Sequence, residues 1–143
     1  MTDLNLEVAL TIALSALAEG KKRGFASLTA AVLDSGGHVV ALLRSDGSSL
    51  LRPQIATGKA WGALGMGYGS REIAQRATKV PAFFNALIEL SGGNMVPVPG
   101  GVLIRNESNA IIGAVGVRGD TSDNDELCAV EAVKAAGLTA DTG

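Results

Sequence analysis

Residues 31–47, AVLDSGGHVVALLRSDG, constrain this chain more than any other stretch. Two aliphatic runs rich in β-branched residues, Leu28–Leu33 and Val39–Leu43, flank Asp34-Ser35-Gly36-Gly37. Asp, Ser and Gly tolerate the left-handed backbone that a tight reversal needs, so the spacing predicts a β-hairpin. Arg44 and Asp46 follow the second run, and Gly47 closes the corner. A strand that ends in such a corner delivers polar groups to one rim of a sheet, and such rims often carry function.

The remaining segments alternate between helical and extended patterns without a linker, charge run or repeat. The first helix is expected over Leu4–Arg23, with Asp3 as N-cap and Gly24 as its stop. Val8, Ile12, Ala16 and Leu17 fall at helical spacing and should face the core. Pro53 suits the first turn of a second helix that runs through Trp61 toward Gly69. Ser70 is placed to cap a short helix over Ser70–Lys79, and Pro81 opens another that reaches Leu90. After the breaker Ser91-Gly92-Gly93-Asn94, strands are expected at Val102–Arg105 and Ala110–Val117, around a turn at Asn106–Asn109. Ser122-x-x-Asp125 is a variant capping box before a last helix, Asp123–Ala136, which Gly137 ends. Strands joined as consecutive hairpins imply an antiparallel sheet and an α+β class.

Composition narrows the function classes. A length of 143 residues suits one domain with a real core. The apolar fraction of 47% against 18% charged residues is globular. A mean hydropathy of +0.29 is high for a lone soluble domain, so part of the surface is expected to be covered in a homo-oligomer. A net charge of −2 without a basic stripe argues against nucleic acid or anionic membrane as partners. Cys128 is the only cysteine, which rules out an internal disulfide and suits a reducing compartment. Asp3 and Glu7 stand where a signal peptide would carry Lys or Arg, and no apolar run approaches ~18 residues, so the expected location is cytoplasmic.

Several short pieces occur in a fixed order. They are Arg44-x-Asp46-Gly47, Ile55-Ala56, Lys59-Ala60, Pro99-Gly100-Gly101-Val102, Gly113-Ala114-Val115-Gly116-Val117, Gly119 and Asp125-Glu126. In this register the chain resembles the GlcG/HbpS (DUF336) family of haem-degrading proteins, which includes the C-terminal domain of PduO-type proteins. The resemblance runs from residue 4 to residue 138. It implies a single domain over residues 1–143, with a profilin-like arrangement of helices on a central antiparallel sheet. It further implies an oligomer that binds haem or another tetrapyrrole, with haem degradation as the associated activity. Leu103, Arg118 and Ser48 depart from the family pattern, which commonly has proline, a small residue and alanine there.

Each candidate site residue has a structural alternative. His38, the only histidine, reads as a haem ligand or general base, or as a solvent-facing turn residue. Lys59 lies in the small, apolar stretch TGKAWGALG, either as an outward charge or as a cation aimed at an anionic substrate. Arg44 and Asp46 form an ion pair that fixes the corner, or Arg44 binds a carboxylate or propionate bidentately. Gly100 and Gly101 allow close backbone approach, which makes either an anion-binding turn or a glycine bulge. Asp125 and Glu126 supply a general base, or simply favour the helix dipole. A second function therefore stands beside tetrapyrrole binding. In it, Arg44, Lys59 and the Gly100-Gly101 turn hold an anionic metabolite, and Asp125 and Lys59 act on it.

Three other motifs lack the context their chemistry needs. Gly65-x-Gly67-x-Gly69 follows a helix rather than a strand, so it is no dinucleotide loop; Gly58, Gly62 and Gly65 are expected to permit close helix packing. Arg118-Gly119-Asp120 spells an adhesion tripeptide without an extracellular setting. One His and one Cys cannot make a usual zinc site, and Cys128 reads as a buried small hydrophobe.

Overall fold

The computed structural model describes residues 2–143. In chain order the elements are α1 (Leu6–Lys22), β1 (Thr29–Asp34), β2 (Val39–Arg44), α2 (Arg52–Met66), α3 (Ser70–Lys79), α4 (Pro81–Leu90), β3 (Gly101–Arg105), β4 (Ile111–Arg118), α5 (Ser122–Ala135) and β5 (Thr139–Asp141). The strands make one sheet in the order β2-β1-β4-β3-β5, and every pairing is antiparallel. The fold is α+β, as the hairpin pattern implies.

Strand alternation assigns the two faces. Ala30, Val32, Val102, Ile104, Val115 and Val117 turn one way and pack on Ile12, Ala13 and Ala16 of α1 and on Cys128, Ala129, Ala132 and Val133 of α5. Ala31, Leu33, Leu103 and Ala114 turn the other way, under Ala56, Ala60 and Ala63 of α2. The α3–α4 pair lies beyond α2 and closes a small cluster of Ile73, Phe84 and Met95.

On the α2 face a row of small residues crosses three strands. Ala31 of β1 pairs with Gly116 of β4, which pairs with Gly101 of β3. A Cβ at Gly116 would lie 1.8 Å from the Ala56 carbonyl oxygen, and one at Gly101 would lie 2.2 Å from that of Lys59. Helix α2 therefore rests with its backbone directly on the sheet. Gly58 and Gly62 serve close packing on another side of the helix, where a Cβ would meet Val96 at 2.6 Å and Met95 at 2.9 Å.

The helix starts need correction. Asn5, not Asp3, caps α1 by accepting from Val8 N–H at 2.9 Å. Gly69 occupies the N-cap of α3, and the Ser70 hydroxyl accepts from Gly101 N–H at 2.7 Å instead of capping. Thr121, one residue before the expected box, caps α5 and accepts from Asn124 N–H at 3.2 Å. The short β5 pairs with the outer edge of β3.

Candidate functional site

Lys59 leaves α2 at the end of β3 and is fully buried. Its Nζ donates to the Val117 carbonyl at 2.9 Å and to Asp125 Oδ2 at 3.1 Å. Asp125, also fully buried, accepts from Asp120 N–H at 2.8 Å through Oδ1, and Arg118 Nη1 stands 3.7 Å from Oδ2. Burial pushes the Lys59 ammonium below the ordinary lysine range, and the Asp125 charge opposes that shift.

The Gly100-Gly101 turn exists to admit this lysine. Gly100 has φ +121°, and a Cβ there would lie 2.7 Å from Lys59 Nζ. The Gly101 N–H is already donated to Ser70. Glu126, beside Asp125, accepts from Arg71 Nε at 3.0 Å and ties α5 to α3. The structure thus brings Lys59, Asp125, Gly100 and Gly101 together as a closed polar knot joining α2, β3, β4 and α5.

His38 lies elsewhere, after the turn between β1 and β2. Asp34 Oδ1 accepts from Gly36 N–H and His38 N–H, each at 3.0 Å, and faces His38 Nδ1 at 3.2 Å. Hydrogen bonding, chiefly from the His38 amide, holds the Asp34 carboxyl below the usual aspartate range. The His38 side chain is 81% exposed. Nδ1 faces the Asp34 carboxylate, and the ring stands in solvent at the turn.

Gly37, with φ +83°, packs against the indole of Trp61; a Cβ there would lie 3.3 Å from Cδ1 and Nε1. Trp61 lines a cleft of about 360 Å³ with Leu42, Pro53, Gln54, Thr57 and Asn94. Among the described residues no carboxylate lines this cleft, and none hydrogen-bonds the Thr57 hydroxyl. From its local sequence Trp61 reads as part of a helix. The pairing of Gly37 with a residue over twenty positions away has no local signature.

The HbpS-like family, described as haem-degrading proteins, matches residues 4–134. The chain belongs to the HbpS-like family. No curated protein matches it. Several solved structures share the fold of this HbpS-like chain. A PduOC–haem complex is 20% identical, with a TM-score of 0.86, over 96% of this chain and 97% of that one. A double mutant of HbpS from Streptomyces reticuli is 26% identical, with a TM-score of 0.81, over 94% and 88%. The Klebsiella pneumoniae protein ORFY is 24% identical, with a TM-score of 0.85, over 96% and 93%.

Arg44 and Asp46 of the HbpS-like chain sit at the far end of β2 and line a separate cleft with Lys21 and Phe25. They form no ion pair with each other. Arg44 Nη2 instead donates to the Ser48 carbonyl at 2.7 Å. The expected pocket of Arg44, Lys59 and the Gly100-Gly101 turn is therefore divided, with Arg44 at one cleft and the other three in the buried knot. Among the described residues no helix is long and apolar enough to cross a membrane, and no three His, Cys, Asp or Glu side chains converge.

Proposed function

We propose that this chain binds haem or a related tetrapyrrole on the Trp61 cleft, with His38 as the iron ligand, within a homo-oligomer. The observation that carries this reading is the Asp34–His38 pair, which engages one ring nitrogen and leaves the other for iron, on a turn whose Gly37 packs against Trp61. Membership of the HbpS-like family supports haem binding at the family level.

The lining fits the group. Trp61, Leu42 and Pro53 offer an apolar face for the macrocycle, and Gln54, Thr57 and Asn94 offer polar atoms for its carboxylates. Bound haem would supply redox-active iron, whose chemistry belongs to the cofactor. Lys59 and Asp125 enter this reading only as a buried pair that stabilises the fold, away from the lining of the cleft. The oligomer is supported by apolar surface left uncovered. Leu6, Leu10 and Leu14 form one stripe on α1, and Val80, Phe83 and Leu90 lie exposed on the α3–α4 pair.

Haemin titration followed by absorbance tests the reading, on protein whose mass has been set by light scattering. A saturable Soret band is expected, and His38→Ala should abolish or shift it while Thr57→Ala weakens binding. Binding without saturation, or a Soret band untouched by His38→Ala, would sink the assignment. Loss of the band on adding ascorbate reads out degradation in the same cuvette.

A further inference from the structure

We propose that the cleft at the other end of β2 is a second binding site, for a small amphipathic carboxylate that carries a hydroxyl or ammonium group beside its acid. The cleft has a volume of about 480 Å³ and is walled by Leu17, Phe25 and Leu28, with Lys21, Arg44 and Asp46 among its polar groups. That volume lies within the roughly 300–1,000 Å³ of small-molecule sites.

Among the described residues, no carboxylate pairs with Lys21 or Arg44 and no cation pairs with Asp46. The backbone that carries them is nonetheless rigidly built. Ser27 Oγ donates to the Asp46 carbonyl at 2.7 Å, and Ser45 N–H donates to the Leu28 carbonyl at 2.8 Å. The Thr29 and Ser48 hydroxyls bond at 2.6 Å in a buried position, and Arg52 Nη1 donates to the Ser27 carbonyl at 2.5 Å. Arg44 is itself fixed through one Nη by Ser48, which leaves its remaining N–H groups for a ligand.

Such a corner is preorganised, so little ordering opposes binding. A carboxylate takes the two cations, and Arg44 can grip it through two N–H groups. Asp46, as a lone acceptor, would repel a second acid and favours a ligand that donates to it. Leu17, Phe25 and Leu28 cover an apolar body. This selects one carboxylate, one adjacent donor and one short hydrocarbon or aromatic part.

Isothermal titration with phenyllactate, and with phenylpropanoate, which lacks the hydroxyl, tests the site. Phenyllactate should bind one per chain and more tightly than phenylpropanoate. Arg44→Gln and Lys21→Gln should each weaken it about ten-fold or more, since each removes a charge-assisted contact. Asp46→Asn should narrow the difference between the two probes, and His38→Ala should leave both affinities unchanged. Both cationic variants are surface changes, and unaltered circular dichroism melts establish that they fold. No saturable heat with phenyllactate, or full affinity in Arg44→Gln, would overturn the proposal.

Discussion

Replacing Lys59 by Met distinguishes a lysine that holds the fold from one that works on a ligand. Methionine fills a similar volume but removes the ammonium, so Asp125 stays fully buried without its nearest cation. Removing one partner of a buried pair costs about 3–5 kcal/mol. Asp125 keeps the Asp120 amide at 2.8 Å and Arg118 at 3.7 Å, which places the expected cost at the low end, about 3 kcal/mol. At roughly 2–4 °C per kcal/mol for a chain of this size, Tm should fall by about 6–12 °C. Urea unfolding followed by the Trp61 fluorescence should show a lower midpoint with an unchanged slope. The haemin affinity of the folded variant should match that of the parent. A loss below about 1 kcal/mol, or intact stability with ligand binding abolished, would refute the structural role.

The complementary change, Asp125→Asn, carries a pH signature. Burial then acts on Lys59 without its main counter-charge, so its folded pKa, already depressed, falls further. Between that folded value and the unfolded 10.5, the unfolded chain binds more protons. Stability therefore rises with pH through this window, by up to about 1.4 kcal/mol per unit. Because the variant's window reaches to lower pH than the parent's, a denaturation series taken upward in pH toward 10.5 should show the variant closing part of its gap to the parent.

Two further outcomes are expected. Gly116→Ala forces a Cβ against a backbone carbonyl and should prevent folding or cost more than about 3 kcal/mol, whereas Gly65→Ala, which meets only the Trp61 ring at 3.6 Å, should be neutral or stabilising by up to about 1 kcal/mol in thermal melts. Burial pushes the Cys128 thiol up to about 11 from 9.0, so it should resist iodoacetamide in the native state. Because the unfolded chain loses this proton first, the contribution of Cys128 to stability is complete below pH 9 and is lost as pH rises from about 9 to 11.

The hairpin, the helix order and the antiparallel class were legible because each rests on local chemistry. Asp34, Gly36 and Gly37 specify their turn within four residues, and Pro53 and Pro81 lie in the first turns of their helices. The cap positions slipped by a residue or two because several neighbouring side chains compete to accept the same N–H groups. Lys59 illustrates the limit for the site. Its small neighbours mark a helix pressed against something, but only the register Gly101–Gly116 decides that its head turns inward to Asp125. A lysine aimed at a partner 66 residues away leaves no trace in spacing.

Because β2 is an outer strand of the sheet, its free edge runs from His38 to Arg44. These residues stand roughly 20 Å apart at strand rise. A strand from another copy laid along that edge would pass both ends at once. A ligand that touched both strands would strengthen that pairing, and pairing would raise its affinity by the same factor. Assembly and ligand binding would be one equilibrium, and dilution alone would act as an effector.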